Sequence, residues 1–297
     1  MRRILIGILL ATNAYAQQNP FVGDATTQIS EHVWGVMGFP NIGIVVGSRA
    51  TLVVDTGMGP RNGAKVMSFV EKLAAKNTKL FLTTTHFHPE HVAGEQGFPP
   101  GTILIRNAVQ QQETDEGGAN RVERFRNNSP TSRELLEGVV LRHPDIVFDN
   151  EATVDLGGGV IVQLLWFGGA HTKGDELIFV TPDRTLISGD VVQNKAMPNI
   201  PDTGSSPFTW LAVLDKVEAL KPAHVLPDHT PPGDGSMVAA ERAMIVELRT
   251  RALELKRRGV SAEEAGKQVS DDLKKAHPDW PNTNAAAFVR SAYLGEK

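Results

Sequence analysis

Thr83-Thr84-Thr85-His86-Phe87-His88-Pro89-Glu90-His91-Val92-Ala93-Gly94 sets three histidines and a carboxylate within six residues, directly after the apolar, β-like run Lys79-Leu80-Phe81-Leu82. In an extended segment side chains two apart leave the same face, so His86 and His88 can face one ion together. Pro89 suits the first turn of a helix, where its missing N–H costs nothing, which carries Glu90 and His91 on a helix start beside the strand end. Those two can reach a second ion. Imidazole nitrogen and carboxylate oxygen are donors that zinc accepts, and they also suit iron or manganese, so donor type alone does not name the metal. The stretch reads as half of a metal site, the alternative being a turn that happens to be rich in histidine.

Outward from it, four further segments carry candidate polar groups in the same way. Leu52-Val53-Val54 is an apolar run ending at Asp55, before Thr56-Gly57; a carboxylate there either orients ligand histidines or caps a turn. Gly168-Gly169-Ala170-His171-Thr172-Lys173-Gly174-Asp175 is a glycine-rich loop around a histidine, Leu186-Ile187-Ser188-Gly189-Asp190 ends a strand on an aspartate, and Leu226-Pro227-Asp228-His229-Thr230 ends another on a histidine.

The histidine stretch resembles the H-x-H-x-D-H signature of the metallo-β-lactamase superfamily, with Glu90 where the family usually has Asp. The four outlying segments resemble that family's other motifs in their expected order, and the family commonly has Gly where Asp228 stands. The resemblance covers residues 52–230, most of the chain, and it is specific for the fold but weak for the substrate. It implies an α/β protein, a four-layer αββα sandwich, with one ion held by His86, His88 and His171 and the other by Glu90, His91 and His229. Asp190 would bridge the two, and Asp55 would orient ligand histidines. The implied cofactors are two divalent metal ions, zinc first, with iron or manganese as alternatives. Such ions lower the pKa of bound water from ~15.7 to about 7, which supplies hydroxide at neutral pH. The implied reaction is hydrolysis in which that hydroxide opens a cyclic amide or ester, such as a β-lactam or a lactone, with Glu90 and Asp190 as catalytic groups. The alternatives are a thioesterase like glyoxalase II, a single-iron enzyme like the persulfide dioxygenases, and a non-catalytic binding module on the same scaffold.

Composition bounds the rest. The chain has 297 residues, 41% of them hydrophobic and 22% charged, which suits one large α/β domain over residues 17–297. Arg2 and Arg3, the apolar Ile4 to Ala11 and the small-x-small Ala14-Tyr15-Ala16 read as a secretory signal over residues 1–16. Its apolar run is too short to span a bilayer. The expectation is cleavage after Ala16 and a periplasmic or secreted protein with no stable membrane anchor. The formal charge is -4; losing Arg2 and Arg3 makes it -6. No run of Lys and Arg offers phosphates a basic track, so the expected partner is a small-molecule substrate and not nucleic acid. Cysteine is absent, which excludes a disulfide framework, thiolate ligands and a cysteine nucleophile.

Along the chain, Ile29 to Val36, Ile42 to Val46 and Leu52 to Val54 read as strands and Asn62 to Lys76 as a helix with Val66, Phe69, Val70 and Leu73 on one stripe. Thr102 to Ile105 reads as a strand. Asn107 to Asn127 reads as a helical segment interrupted at Gly117-Gly118, either a lid beside the site or a solvated face, with a short helix near Ser132 to Gly138. From Ile146 five strands through Ser188 look like the second half of a two-sheet core, followed by a helix over Trp210 to Leu220 and a strand over Ala223 to Leu226. Three helices, Ser236 to Arg258, Ser261 to Lys274 and Asn284 to Tyr293, form a C-terminal extension (about 236–297) that either caps the domain or pairs two chains as a homodimer. Lys173 and Lys195 are candidate anchors for a substrate carboxylate, and Trp34, Phe39 and Met197 candidates for an apolar wall. His32, His143, His224 and His277 each stand alone and read as structural or surface residues.

Overall fold

Alternation along the strands sorts the apolar side chains into layers. The first sheet runs β1 (Thr26–Gln28), β2 (Val33–Val36), β3 (Ile42–Val46), β4 (Ala50–Val54), β5 (Lys79–Thr83), β6 (Ile103–Asn107) and β7 (Ile146–Phe148) in spatial order. The second is ordered β13-β12-β11-β10-β9-β8, from β8 (Glu151–Asp155), β9 (Ile161–Leu165), β10 (Leu177–Val180), β11 (Thr185–Gly189), β12 (His224–Pro227) and β13 (Gly233–Asp234). Val45, Leu52 and Val54 of the first sheet meet Ile178, Val180, Ile187 and Leu226 of the second in a core between the sheets. The intervening residues Ile44, Val53, Leu186 and Val225 face outward, as a period of two requires.

Helices cover those outward faces. Helix α1 (Pro60–Leu73) lays Val66, Phe69 and Val70 on the first sheet. On the second, α6 (Pro207–Leu220) buries Trp210, Leu214 and Val217, its start set by Ser206 and Thr209 in a reciprocal capping box with Pro207 in the first turn. The C-terminal helices α7 (Ser236–Arg257), α8 (Ala262–Ala276) and α9 (Ala286–Leu294) add Ile245, Leu248, Val269, Phe288 and Val289 to that core. The architecture is the four-layer αββα sandwich with extra C-terminal helices. This computed structural model describes residues 19–74, 79–201, 204–280 and 282–295; the expected leader over residues 1–16 lies outside them. No helix among the described residues is long and apolar enough to cross a membrane.

Three readings change. Ile29 to His32 is the turn of a hairpin and not strand, because Thr26–Gln28 pairs with Val36 to Trp34 and leaves these residues to connect them. Ile146–Phe148 pairs in parallel with β6 and so belongs to the first sheet; the chain passes to the second sheet only at Asp149 and Asn150. Gly117-Gly118 does not interrupt the helical segment. Helices α3 (Ala108–Glu113) and α4 (Ala119–Arg126) are joined by a π-type turn, Thr114–Gly118, in which Gly118 keeps helical dihedrals. A Cβ there would meet Leu141 at 2.7 Å, so the glycine serves close packing. The short helix that follows is α5 (Pro130–Leu135).

Candidate metal centre

The parallel pairs β4–β5 and β11–β12 end at one edge of the sandwich, and the polar groups nominated above follow those ends. After β5 the chain bends over Thr85 to His88 instead of continuing as the extended segment expected, and enters α2 (Pro89–Val92) with His88 in extended conformation before it, Pro89 at its first position and all four helix residues buried. His86 Nε2 comes to 3.0 Å from His88 Nδ1. The loop before β10 brings in His171, and the two groups His86/His88/His171 and Glu90/His91/His229 each offer ligand atoms within 4.8 Å of one another. Asp190 straddles them: Oδ2 lies 3.3 Å from His171 Nε2 and Oδ1 lies 3.3 Å from His229 Nε2. Asp190 follows Gly189, whose φ of +57° and lack of a Cβ matter, since a Cβ would meet that of Thr85 at 2.9 Å.

Behind these groups lies a buried polar layer. Asp55 ends β4 with φ of +68°, a left-handed conformation that aspartate tolerates better than most residues. Its Oδ1 accepts from the Thr85 N–H at 2.7 Å, and its Oδ2 lies 3.0 Å from His91 Nδ1. Asp228 was not nominated by the sequence, yet its Oδ2 lies 3.3 Å from the same nitrogen and accepts from the Thr85 hydroxyl at 2.8 Å. Its position directly before His229, at a strand end, was the available signal. Burial and the neighbouring imidazoles of His91, His88, His171 and His229 push His86 well below the usual histidine range, and burial beside His91 takes His229 down to about 3. Burial raises Glu90 to about 7 and raises Asp190. Although burial opposes it, the carboxylates of Asp55 and Asp228 hold His91 well above its ordinary value.

The sequence profile described as the metallo-beta-lactamase superfamily matches residues 35–229, well over half of the chain. The chain belongs to the metallo-β-lactamase superfamily. Similar solved structures include a metallo-β-lactamase from Pontibacter korlensis, 18% identical with a TM-score of 0.60, covering 75% of this chain and 98% of that one. They also include the stereoselective inverting sec-alkylsulfatase Pisa1 from Pseudomonas sp., 15% identical with a TM-score of 0.70 over 92% of this chain and 50% of that one. Among curated proteins, a linear primary-alkylsulfatase from Pseudomonas sp. (strain ATCC 19151) is 24% identical over 222 residues, 62% of this chain. The chain spans 40% of that relative's length.

The superfamily is one of metal-dependent hydrolases, and the side chains here fit divalent ions. Glu90 Oε2 and His91 Nε2 are buried without a hydrogen-bond partner among the described residues, each a cost of ~1–3 kcal/mol that a cation would relieve. Burial keeps His86 and His229 neutral, the form in which imidazole ligates a metal. His171 donates from Nδ1 to the Asn199 carbonyl at 2.8 Å, which turns Nε2 toward Asp190.

The superfamily site is also braced by residues that sequence reasoning did not single out. Asn41 donates from Nδ2 to the carbonyls of Pro227 (2.7 Å) and Thr230 (2.9 Å), clamping the turn that carries Asp228 and His229. Gln193 donates to Asp190 Oδ1 at 2.6 Å, and its backbone N–H is held by the buried Glu241 of α7. Asp175 gathers the N–H groups of Ala170 and Thr172 around His171. Of the proposed substrate contacts, Phe39 packs against His229 with ring centroids 4.5 Å apart and planes tilted by 32°. Trp34 instead packs into the core beneath α1, because it alternates with the inward-facing Val33, and Met197 is buried in the core of the second sheet. Lys173 and Lys195 are exposed on the loops that follow His171 and Asp190.

Proposed function

We propose that the protein is an exported hydrolase carrying two divalent ions, zinc first among them, that opens a cyclic amide or ester of the β-lactam or lactone kind. The observation that carries this reading is the pair of ligand groups with Asp190 between them. His86, His88 and His171 would hold one ion, and Glu90, His91 and His229 the other. When bound, such ions supply Lewis acidity toward a carbonyl oxygen and a nucleophilic oxygen at neutral pH. Glu90, with Oε2 unpartnered, is the candidate for accepting and returning a proton at that atom. Phe39, packed against His229, borders an open cleft of about 580 Å³ lined by the apolar Phe21, Val22 and Met37 together with the polar Asn19, Asp24 and Lys65. That cleft, with apolar and polar side chains beside His229, would receive the substrate. The overlap with 98% of the Pontibacter β-lactamase supports this substrate class.

A second reading, hydrolysis of an alkyl sulfate ester, is favoured by a different observation. The overlap with the sec-alkylsulfatase takes in 92% of this chain, too much to leave out α7 to α9, and the curated relative is an alkylsulfatase as well. Purified protein is assayed for metal content and then offered nitrocefin, an acyl-homoserine lactone, an acyl-thioester and dodecyl sulfate, with His88→Ala as control. Turnover of nitrocefin or the lactone is the expected result. Turnover of dodecyl sulfate alone selects the second reading, one iron per chain without zinc points to the redox relatives, and inactivity on all four with two ions bound overturns both hydrolytic readings.

A further inference from the structure

The two carboxylates behind His91 differ from a single orienting aspartate in a way that can be counted in protons. Asp55 Oδ2 and Asp228 Oδ2 each lie within reach of the same two donors, the hydroxyl of Thr85 (2.9 and 2.8 Å) and Nδ1 of His91 (3.0 and 3.3 Å). The Thr85 hydroxyl has one proton. Facing a single carboxylate, that proton would suffice, and His91 could carry its own on either nitrogen. Facing two, it can serve only one of them. The second oxygen is served when His91 bears its proton on Nδ1; Asp228 Oδ1 already lacks a partner among the described residues, so leaving Oδ2 unserved as well would strand a fully buried carboxylate, at a high cost. With Nδ1–H committed to these carboxylates, Nε2 is the nitrogen left to face a cation; it is buried without a hydrogen-bond partner among the described residues, 3.9 Å from Glu90 Oε1. Asp228 is itself fixed: its backbone carbonyl accepts from the Asn41 N–H at 2.6 Å and its N–H reaches the Gly189 carbonyl at 3.3 Å.

We infer that Asp228 is a positioning residue for the second ion, acting with Asp55 through Thr85 to fix the tautomer of His91 and strengthen Nε2 as a donor to a divalent cation. This rests on the two-metal reading above. It assigns the departure from glycine at this position a role alongside the departure from aspartate at Glu90: Glu90 belongs to the ligand group of the second ion, and Asp228 reaches His91 of the same group.

The test is titration of metal-stripped, full-length protein with zinc against a chromophoric chelator, for the wild type, Asp228→Asn and Asp228→Gly, with melting curves to show that the variants fold. Expected is a 10- to 100-fold loss of affinity for the second zinc, with the first zinc within about threefold of wild type. Folded variants that bind both ions as tightly as wild type overturn the inference and leave the two-metal reading standing. A wild type that takes only one zinc overturns that reading and the inference with it. Should both Asp228 variants fail to fold, Asp55→Asn decides, read from the nitrogen-15 spectrum of the zinc-loaded protein. With Asp228 still in place, His91 should remain the Nδ1–H tautomer, and appearance of the other tautomer overturns the inference.

Discussion

The Thr83 hydroxyl has one proton and two acceptors within reach, the buried carboxyl of Glu176 at Oε1 and the Ile105 carbonyl at 2.9 Å. Burial raises the Glu176 carboxyl to about 7. In the unfolded chain the same group loses its proton near 4.5. Between those values the folded state holds a proton that the unfolded state has released, so this group's contribution to stability is full at low pH and is lost as pH rises toward about 7. Glu176→Gln is of similar size, keeps one acceptor oxygen for the donors Thr83 and Asn107, and has no proton to lose. Its melting temperature relative to wild type is expected to rise between pH 5 and pH 8, which thermal melts across that range would check; a constant difference would contradict the assignment. Glu90 is the other residue whose change is diagnostic. Glu90→Ala is expected to leave one tightly bound ion per chain where wild type has two, measured by metal analysis after dialysis.

The short helix α3 gains its importance from what its ends touch. Asn107 caps it, accepting from the Gln110 N–H at 2.8 Å, and donates from Nδ2 to the Gly174 carbonyl at 2.9 Å. Gln110 exchanges hydrogen bonds with Thr84 (2.6 and 2.8 Å), two residues before His86, and Glu113 accepts from the N–H of Gly174 at 2.8 Å. One element thus ties the loop of His86 to the loop of His171. Gln110→Ala would leave the buried Thr84 groups unpaired and is expected to cost ~1–3 kcal/mol in denaturant titrations, with weaker zinc binding by the His86/His88/His171 group. Arg106 of β6, fully buried and paired with Glu95, belongs to the same scale. Arg106→Ala strands a buried carboxylate and should cost ~3–5 kcal/mol, and Arg106→Met with Glu95→Gln much less. None of this bracing was legible beforehand. Gln110, Gln111 and Glu113 look like a solvated face among charged neighbours, and burial of polar side chains leaves no periodic trace for a reader of sequence. The histidines were legible because they stand close together in sequence at a strand end and a proline-led helix start, although the stretch between is a run of bends and not extended.

Across the molecule, the layers followed from patterns that do survive in sequence: alternation in the strands, a stripe on α1 and α6, and three helices at the C-terminus. What they could not give was the sheet to which Ile146–Phe148 belongs, since parallel pairing with β6 depends on a crossover through α3 to α5 and not on the strand's own residues. The C-terminal helices are integral to the larger core, where Trp210 is completely buried, so Trp210→Ala is expected to destabilise by ~3–5 kcal/mol. Ion binding acts at this scale too. Zinc at a hundred times its dissociation constant adds ~2.7 kcal/mol per site, so a chelator should lower the melting temperature of wild type and, by about half as much, that of His88→Ala, which keeps only the second ligand set.

The crossing of the chain between sheets at Asp149 and Asn150 gives those ions a further part to play. Everything before it supplies His86, His88, Glu90 and His91; everything after it supplies His171, Asp190 and His229. Each candidate ligand set draws on both sides, so a cation bound there would rivet one half of the polypeptide to the other. A protease nick at that crossing should yield two pieces that migrate together with zinc and drift apart in its absence.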